Sequence, residues 1–256
     1  MNKNEVFNHF STLLDDMIEG SLFFQTYFQA PCYIEDVHGS IDDVNVPKNV
    51  HLYFGATRGC IVDDDFNYVV KFDIDEDSWN DSVCHREADI YSRAVRSGVA
   101  RYLASCVYLG TFTKTIQFYH YDDIDQHMDW RDYNFTEFND EFMKHEDDFG
   151  DIVSITINVP LYVYPKADYF SMDTSSASAE TYNCARRINS PLRERNLSLA
   201  IVFIEQYGEE AYVDFTEFMV EENINDLHCG NVGMVNGSFV LIDYAGYHSS
   251  DERDYY

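Results

Sequence analysis

Near its carboxyl end the chain reads Asn225-Asp226-Leu227-His228-Cys229-Gly230-Asn231, and after a short interval it continues Ile242-Asp243-Tyr244-Ala245-Gly246. An asparagine thus follows Asp226 five residues on, and a second aspartate stands twelve residues beyond Asn231. The apolar residues 239–242 predict a short strand that returns from a hairpin and delivers Asp243. The pattern supplies two carboxylates and one amide, the groups with which phosphoryl transfer orients a hydroxyl and holds Mg²⁺.

This spacing resembles the catalytic loop and metal-binding turn of the protein-kinase-like fold, where H-R-D-x-x-x-x-N precedes D-F-G. The resemblance makes Asp226 the catalytic aspartate, and Asn231 and Asp243 the Mg²⁺ ligands. The variant Asp-Leu-His-x-Gly-Asn at residues 226–231 is closer to bacteriophage-encoded kinases and small-molecule phosphotransferases than to eukaryotic protein kinases. ATP and Mg²⁺ are the cofactors that the resemblance implies.

The amino-terminal half is patterned for strands. Residues 50–54, 60–62 and 68–72 are rich in β-branched and aromatic side chains, and residues 63–67 have turn chemistry. From residue 82 apolar side chains recur at three- and four-residue spacing, which predicts a helix.

These elements hold the remaining groups that a kinase-like site needs. The third strand resembles the V-A-I-K strand, so Lys71 would pair with the α/β-phosphates, and Glu87 on the following helix would be its partner. Gly55, Thr57 and Gly59 would form the nucleotide-binding loop. Taken singly, a strand lysine, a helix glutamate and two turn glycines also fit solvent-facing or ordinary turn positions. The order Gly, Lys, Glu, Asp, Asn, Asp favours the joint interpretation.

The fold predicted from these patterns is α+β and two-lobed, of the protein-kinase-like kind. An amino-terminal lobe with a small antiparallel sheet covers residues 1–163, including an amino-terminal helix and an acidic, aromatic-rich insertion near 113–151. A minimal, mainly helical carboxyl-terminal lobe covers residues 164–256, and residues 164–167 would form the hinge.

The composition indicates which classes of partner the protein can bind. The 256 residues carry a formal net charge of -29, far beyond the magnitude of about 2 to 8 that suits a small soluble domain. Such a surface repels nucleic acid and attracts basic proteins. We therefore expect a basic host protein as partner and no direct contact with nucleic acid.

Cysteine usage and hydropathy indicate the compartment. The six cysteines include no C-x-x-C pair and no metal-finger spacing, which favours reduced thiols over disulfides or zinc. No apolar run is long enough for a membrane span, and the amino terminus lacks an export signal. We expect a cytoplasmic protein, in the host cell if the chain is viral. A metal at His120 and His127 has no regular ligand spacing to support it.

Two charged regions leave alternatives open. Residues 121–151 contain twelve acidic side chains with aromatics at helical spacing, consistent with a solvated helix over the core or with a docking surface for a basic partner. Four arginines would either neutralise acidic side chains or contact an acceptor phosphate; they are Arg186, Arg187, Arg193 and Arg195.

The chain departs from the kinase pattern at Ile224, Asn225 and Ala245, which replace the usual histidine, arginine and glycine. Few residues follow the metal-binding turn, as in host-takeover kinases of bacteriophages. The main hypothesis is an ATP/Mg²⁺-dependent kinase that phosphorylates Ser or Thr of a host protein. The alternatives are a pseudokinase whose acidic surface binds and inhibits a basic, nucleic-acid-binding host protein, and a small-molecule phosphotransferase.

Overall fold

The computed structural model describes residues 2–19, 21–28, 41–55, 58–73, 82–119, 152–170 and 173–245. Within these residues the protein is α+β, with a small antiparallel sheet and several helices. The chain divides into two compact units. The first consists of Met1–Ser82 and Val107–Val163, and the second of Val83–Cys106 and Tyr164–Tyr256.

The first unit is built on a five-stranded sheet. Its strands are β1 (Val50–Phe54), β2 (Arg58–Asp63), β3 (Tyr68–Asp73), β4 (Val107–Tyr119) and β5 (Ile152–Pro165). They lie in the order β1-β2-β3-β5-β4, and β1–β2, β2–β3 and β4–β5 pair antiparallel. The three strands predicted from residues 50–72 are confirmed. They form because their alternating apolar residues bury one face of a pleated sheet.

Helices α1 (Lys3–Ile18) and α2 (Leu22–Tyr27) contribute the other side of the first core. Phe10, Leu14 and Met17 recur at three- and four-residue spacing on α1 and are fully buried. They share a core with Ile61 and Val70 of the sheet. The predicted amino-terminal helix is therefore confirmed.

The second unit is mainly helical. Its helices are α3 (Val83–Ser97), α4 (Ala179–Arg187), α5 (Pro191–Arg195), α6 (Leu197–Tyr207) and α7 (Glu209–Glu221). Strands β6 (Val232–Val235) and β7 (Ser238–Leu241) form an antiparallel hairpin. Apolar side chains of α3, α6 and α7 share one core with the hairpin, which keeps the loop between α7 and β6 close to the protein interior.

The domain boundaries differ in two respects from those predicted. The segment Val83–Cys106 was placed in the lobe 1–163 but belongs to the second unit, because Ile90, Ala94 and Tyr102 lie in its core. Residues 113–119 of the insertion predicted near 113–151 belong to the sheet, because β4 continues as a paired strand to Tyr119. The boundary expected between residues 163 and 164 coincides with that of the two units.

Several predictions concern residues outside those described. These are Thr57, Gly246, His120, His127 and the acidic segment 121–151. Among the described residues, no helix is both long and apolar enough to cross a membrane. The five cysteines in the described part of the chain are free thiols.

Candidate functional site

The loop that carries Asp226 is anchored by its apolar neighbours. Helix α7 ends where Asn223 adopts a left-handed conformation (φ 54°), and the Ile224 N–H donates to the carbonyl of Met219 at 2.8 Å. The side chains of Ile224 and Leu227 are buried in the second core. Asp226 lies between these two anchors with its side chain 38% exposed, so its carboxylate is accessible to a reactant.

Asn231 is joined to Asp226 by a direct hydrogen bond. Its Nδ2 donates to the Asp226 carbonyl oxygen at 2.7 Å, and the Asn231 side chain is buried. Because the amide nitrogen is used on this carbonyl, Oδ1 is the atom that can face a cation. The five-residue spacing thus closes a loop that holds both predicted site residues.

The β6–β7 hairpin brings Asp243 back to the same loop. Asn236 and Gly237 have φ values of 52° and 76°, typical of a type I′ turn. The strands pair from Val235 and Ser238 to Val232 and Leu241. Past the end of the pairing, the Ile242 N–H donates to the Asn231 carbonyl at 2.9 Å. The half-buried Asp243 is the next residue along the chain.

Glu87 lies fully buried in the second unit, with 0% of its surface exposed. Its Oε1 accepts the N–H of Tyr244 at 2.9 Å, and its Oε2 accepts the hydroxyl of Tyr164 at 2.5 Å. Glu87 was predicted as a site residue and Tyr164 as part of the hinge, but no contact between Glu87 and either tyrosine was predicted. Tyr244 directly follows Asp243, so the contact ties helix α3 to the turn that carries the predicted metal ligand.

His228 and Gly230 shape the rest of the loop. The Gly230 N–H donates to His228 Nδ1 at 3.0 Å, so neutral His228 carries its proton on Nε2. That Nε2 lies 4.0 Å from Asp226 Oδ1. A Cβ atom at Gly230 would lie 2.8 Å from the His228 ring, so a larger residue there would have to displace that ring.

Three of the four arginines singled out in the sequence make side-chain contacts with other residues of the second unit. Arg187 pairs with Glu209, while Arg193 donates to the Arg186 carbonyl at 2.8 Å, at the carboxyl end of α4. Arg195 Nε donates to the Asn225 carbonyl at 3.2 Å. These contacts stabilise a helix end and the backbone just before Asp226.

Lys71 and the predicted glycine loop lie in the first unit. On β3, Lys71 is opposite Cys60 of β2, and burial raises the pKa of that thiol while Lys71 and Arg58 oppose the rise. Gly59 packs against an aromatic side chain, since a Cβ atom there would lie 2.3 Å from the Phe72 ring. This packing accounts for Gly59 without a phosphate. Gly55 closes the β1–β2 loop through its N–H, which donates to the Arg58 carbonyl at 2.8 Å.

Oxygen ligands of the kind that Mg²⁺ prefers are present in the second unit. The Asn231 amide oxygen and the Asp243 carboxylate are hard donors, and Mg²⁺ commonly takes one or two protein ligands together with phosphates and water. In the described part of the chain, no group of three or more His, Cys, Asp or Glu side chains could hold a metal ion. The two oxygen donors are of the kind and number that Mg²⁺ takes from a protein when phosphates and water complete its coordination.

The structure brings Asp226, Asn231, Asp243 and Glu87 into one compact unit, and places Lys71 in the other. No family model, curated protein or solved structure matches the chain. The roles of these residues are therefore inferred from their chemistry and geometry.

Proposed function

We propose that the protein is an ATP- and Mg²⁺-dependent kinase of bacteriophage type that phosphorylates Ser or Thr of a host protein. The observation that carries the proposal is the hydrogen bond from Asn231 Nδ2 to the Asp226 carbonyl. With the hairpin contact from Ile242 to Asn231, it holds a carboxylate, an amide oxygen and a second carboxylate on one continuous loop and turn. This is the set of groups that phosphoryl transfer uses.

Each residue has a defined task in the proposed reaction. Asp226 accepts a hydrogen bond from the acceptor hydroxyl and aims its oxygen at the γ-phosphate. Asn231 and Asp243 would hold Mg²⁺, which would neutralise charge on the phosphates when bound. Lys71 contacts the α/β-phosphates, as its strand position suggests. Positioning and electrostatics supply most of the rate in such a reaction.

The kinase-like two-lobed fold belongs to the same proposal. The α+β composition supports it, as does the chain order of a small sheet with a strand lysine, a helix with a buried glutamate, and a loop and turn with the aspartates. The excess of 46 acidic over 17 basic residues favours a basic protein as acceptor.

The first test removes the charge of Asp226. In a kinase assay with labelled ATP, Mg²⁺ and a lysine- and serine-rich peptide, Asp226→Asn should lower phosphorylation at least about a hundredfold, because a positioned acid–base group typically contributes that much or more. Asp214→Asn is the matched control, since Asp214 is an exposed carboxylate on α7 of the same unit. Equal labelling by the Asp226 variant and the wild type would refute the assignment.

A second candidate function is favoured by the net charge of -29. In this case the protein is a pseudokinase that keeps the fold and uses its acidic surface to bind and inhibit a basic, nucleic-acid-binding host protein. The buried Ala245 in place of the usual glycine of the metal-binding turn favours the same candidate. Asp226→Asn would then leave the effect on the host protein intact.

A further inference from the structure

We propose that Tyr164 is a positioning residue for Asp243: its hydroxyl fixes Glu87, and Glu87 fixes the backbone of the turn that begins at Asp243. The inference rests on the proposed function for the task of Asp243. The contacts themselves do not depend on that function.

Three separate segments of the second unit meet at one buried carboxyl group. Glu87 comes from α3, Tyr164 from the end of β5, and Tyr244 from the turn after β7. All three residues are at most 2% exposed. One carboxyl oxygen of Glu87 accepts a hydrogen bond from the Tyr164 hydroxyl, and the other accepts one from the Tyr244 N–H. The carboxyl group is therefore oriented from two sides.

The other end of Tyr244 is also fixed. Its hydroxyl donates to the Ala104 carbonyl at 2.8 Å, and the Ala104 N–H donates to the Leu241 carbonyl at 2.7 Å. Leu103 and Leu241 form a parallel bridge. The turn is thus bonded to the segment that follows α3, and through Glu87 to α3 itself. Asp243 lies between Leu241 and Tyr244, at the point where both sets of contacts converge.

A hydroxyl at position 164 matters because a buried carboxyl group needs hydrogen-bond donors. If the hydroxyl is removed, Oε2 of Glu87 loses this donor, and the side chain gains by turning toward any donor that remains. Any such rotation moves Oε1 away from the Tyr244 N–H. Tyr164→Phe should therefore loosen the turn through its effect on Glu87, whereas a purely space-filling ring would leave the turn unchanged.

Hydrogen exchange at the Tyr244 amide tests this step without any measurement of activity. In Tyr164→Phe we expect this amide to exchange at least about tenfold faster than in the wild type, in line with the loss of a hydrogen bond to a carboxylate. The Ile224 amide, bonded to Met219 elsewhere in the same unit, should keep its rate. Tyr182→Phe is the matched control, because it removes a tyrosine hydroxyl of the same unit that pairs with Thr174 at 3.2 Å.

Three exchange results would overturn the inference. The first is an unchanged Tyr244 rate in Tyr164→Phe, and the second is an equal acceleration at Ile224, which would indicate general destabilisation. The third is an unprotected Tyr244 amide in the wild type, which decides the question even if the variant does not fold.

A second experiment tests whether the contact between Tyr164 and Glu87 affects Mg²⁺ binding. It measures how thermal stabilisation by ATP depends on the Mg²⁺ concentration. Groups that orient a metal ligand from outside its coordination shell typically change metal affinity by about 10- to 100-fold. We expect Tyr164→Phe to need about ten times more Mg²⁺ for the same stabilisation, with Tyr182→Phe like the wild type. If the wild type is stabilised and both variants need the same Mg²⁺, the inference fails and the proposed function stands. If ATP and Mg²⁺ leave the wild type unchanged, the proposed function fails, and the exchange rates alone decide whether Tyr164 holds the turn.

Discussion

At Asn231 one amide group serves two needs. Its nitrogen donates to the Asp226 carbonyl, which closes the loop, and its oxygen remains for a cation. Aspartate at this position would set a carboxylate against a carbonyl oxygen, and leucine would remove both functions. The amide is therefore required by the shape of the loop as well as by the chemistry proposed for it.

Cys60 reports on the charge of Lys71, because the two residues are directly opposite on β2 and β3. Burial raises the pKa of the Cys60 thiol, and the ammonium group of Lys71 opposes the rise. Lys71→Met should therefore raise this pKa further and leave less thiolate. We expect alkylation of Cys60 by iodoacetamide at about pH 8.5 to slow roughly three- to tenfold. Peptide mass spectrometry measures the rate at this one cysteine.

The matched control for this experiment is Lys114→Met. Lys114 is a half-buried lysine of the same sheet, but it pairs with Asp15 at 2.7 Å on α1. Its loss should leave the alkylation of Cys60 unchanged. A Lys71→Met rate equal to that of the wild type would mean that the lysine charge does not act on the thiol.

At the scale of elements, the β6–β7 hairpin determines where Asn231 and Asp243 lie. Its turn depends on Gly237, whose φ of 76° is unfavourable for residues with a Cβ atom. A Cβ atom there would meet nothing within 4 Å, so a substitution tests backbone conformation alone. Gly237→Ala should lower the free energy of unfolding by about 1–2 kcal/mol, as measured by urea denaturation.

Asn236→Gly is the companion variant at the same turn. Asn236 already has a positive φ of 52°, and glycine adopts that conformation without strain. The stability of this variant should match that of the wild type within a few tenths of a kcal/mol, apart from the entropy that glycine adds to the unfolded chain. Equal stability of Gly237→Ala and the wild type would show that the turn adapts.

The elements that sequence patterns predicted are those whose signals are local. Their β-branched and aromatic residues marked β1 to β3, and helical spacing marked α3. Asp226, Asn231 and Asp243 of the candidate site could be predicted because they lie close together along the chain. The Tyr164–Glu87 contact joins residues 77 positions apart, and no local pattern encodes it. Gly59 likewise resembled a phosphate-loop glycine, although its packing against Phe72 is apparent only in three dimensions.

At the scale of the whole molecule, charge is the dominant property. The chain has 46 acidic and 17 basic residues, and its sequence pI is about 4.3. Some basic side chains already form ion pairs with acidic ones. Lys114 pairs with Asp15, and Arg93 pairs with Glu222. The remaining negative charge repels itself and favours approach by a positively charged partner. Both candidate functions use this field, but only the kinase also needs Asp226.

Binding to a basic polymer tests the effect of the net charge separately from the effect of Asp226. Poly-L-lysine, used as a defined stand-in for a basic host protein, should bind tightly at about 0.01 M salt and weakly at about 1 M, as the Debye length falls from about 30 Å to 3 Å. Poly-L-glutamate should not bind at either concentration. Affinity for poly-L-lysine that does not change with salt would contradict a role for the net charge.

Asp226→Asn removes one of 46 acidic groups, so it should bind like the wild type. A variant that binds normally and transfers no phosphate would favour the kinase, because recognition would then be intact and only the chemistry lost.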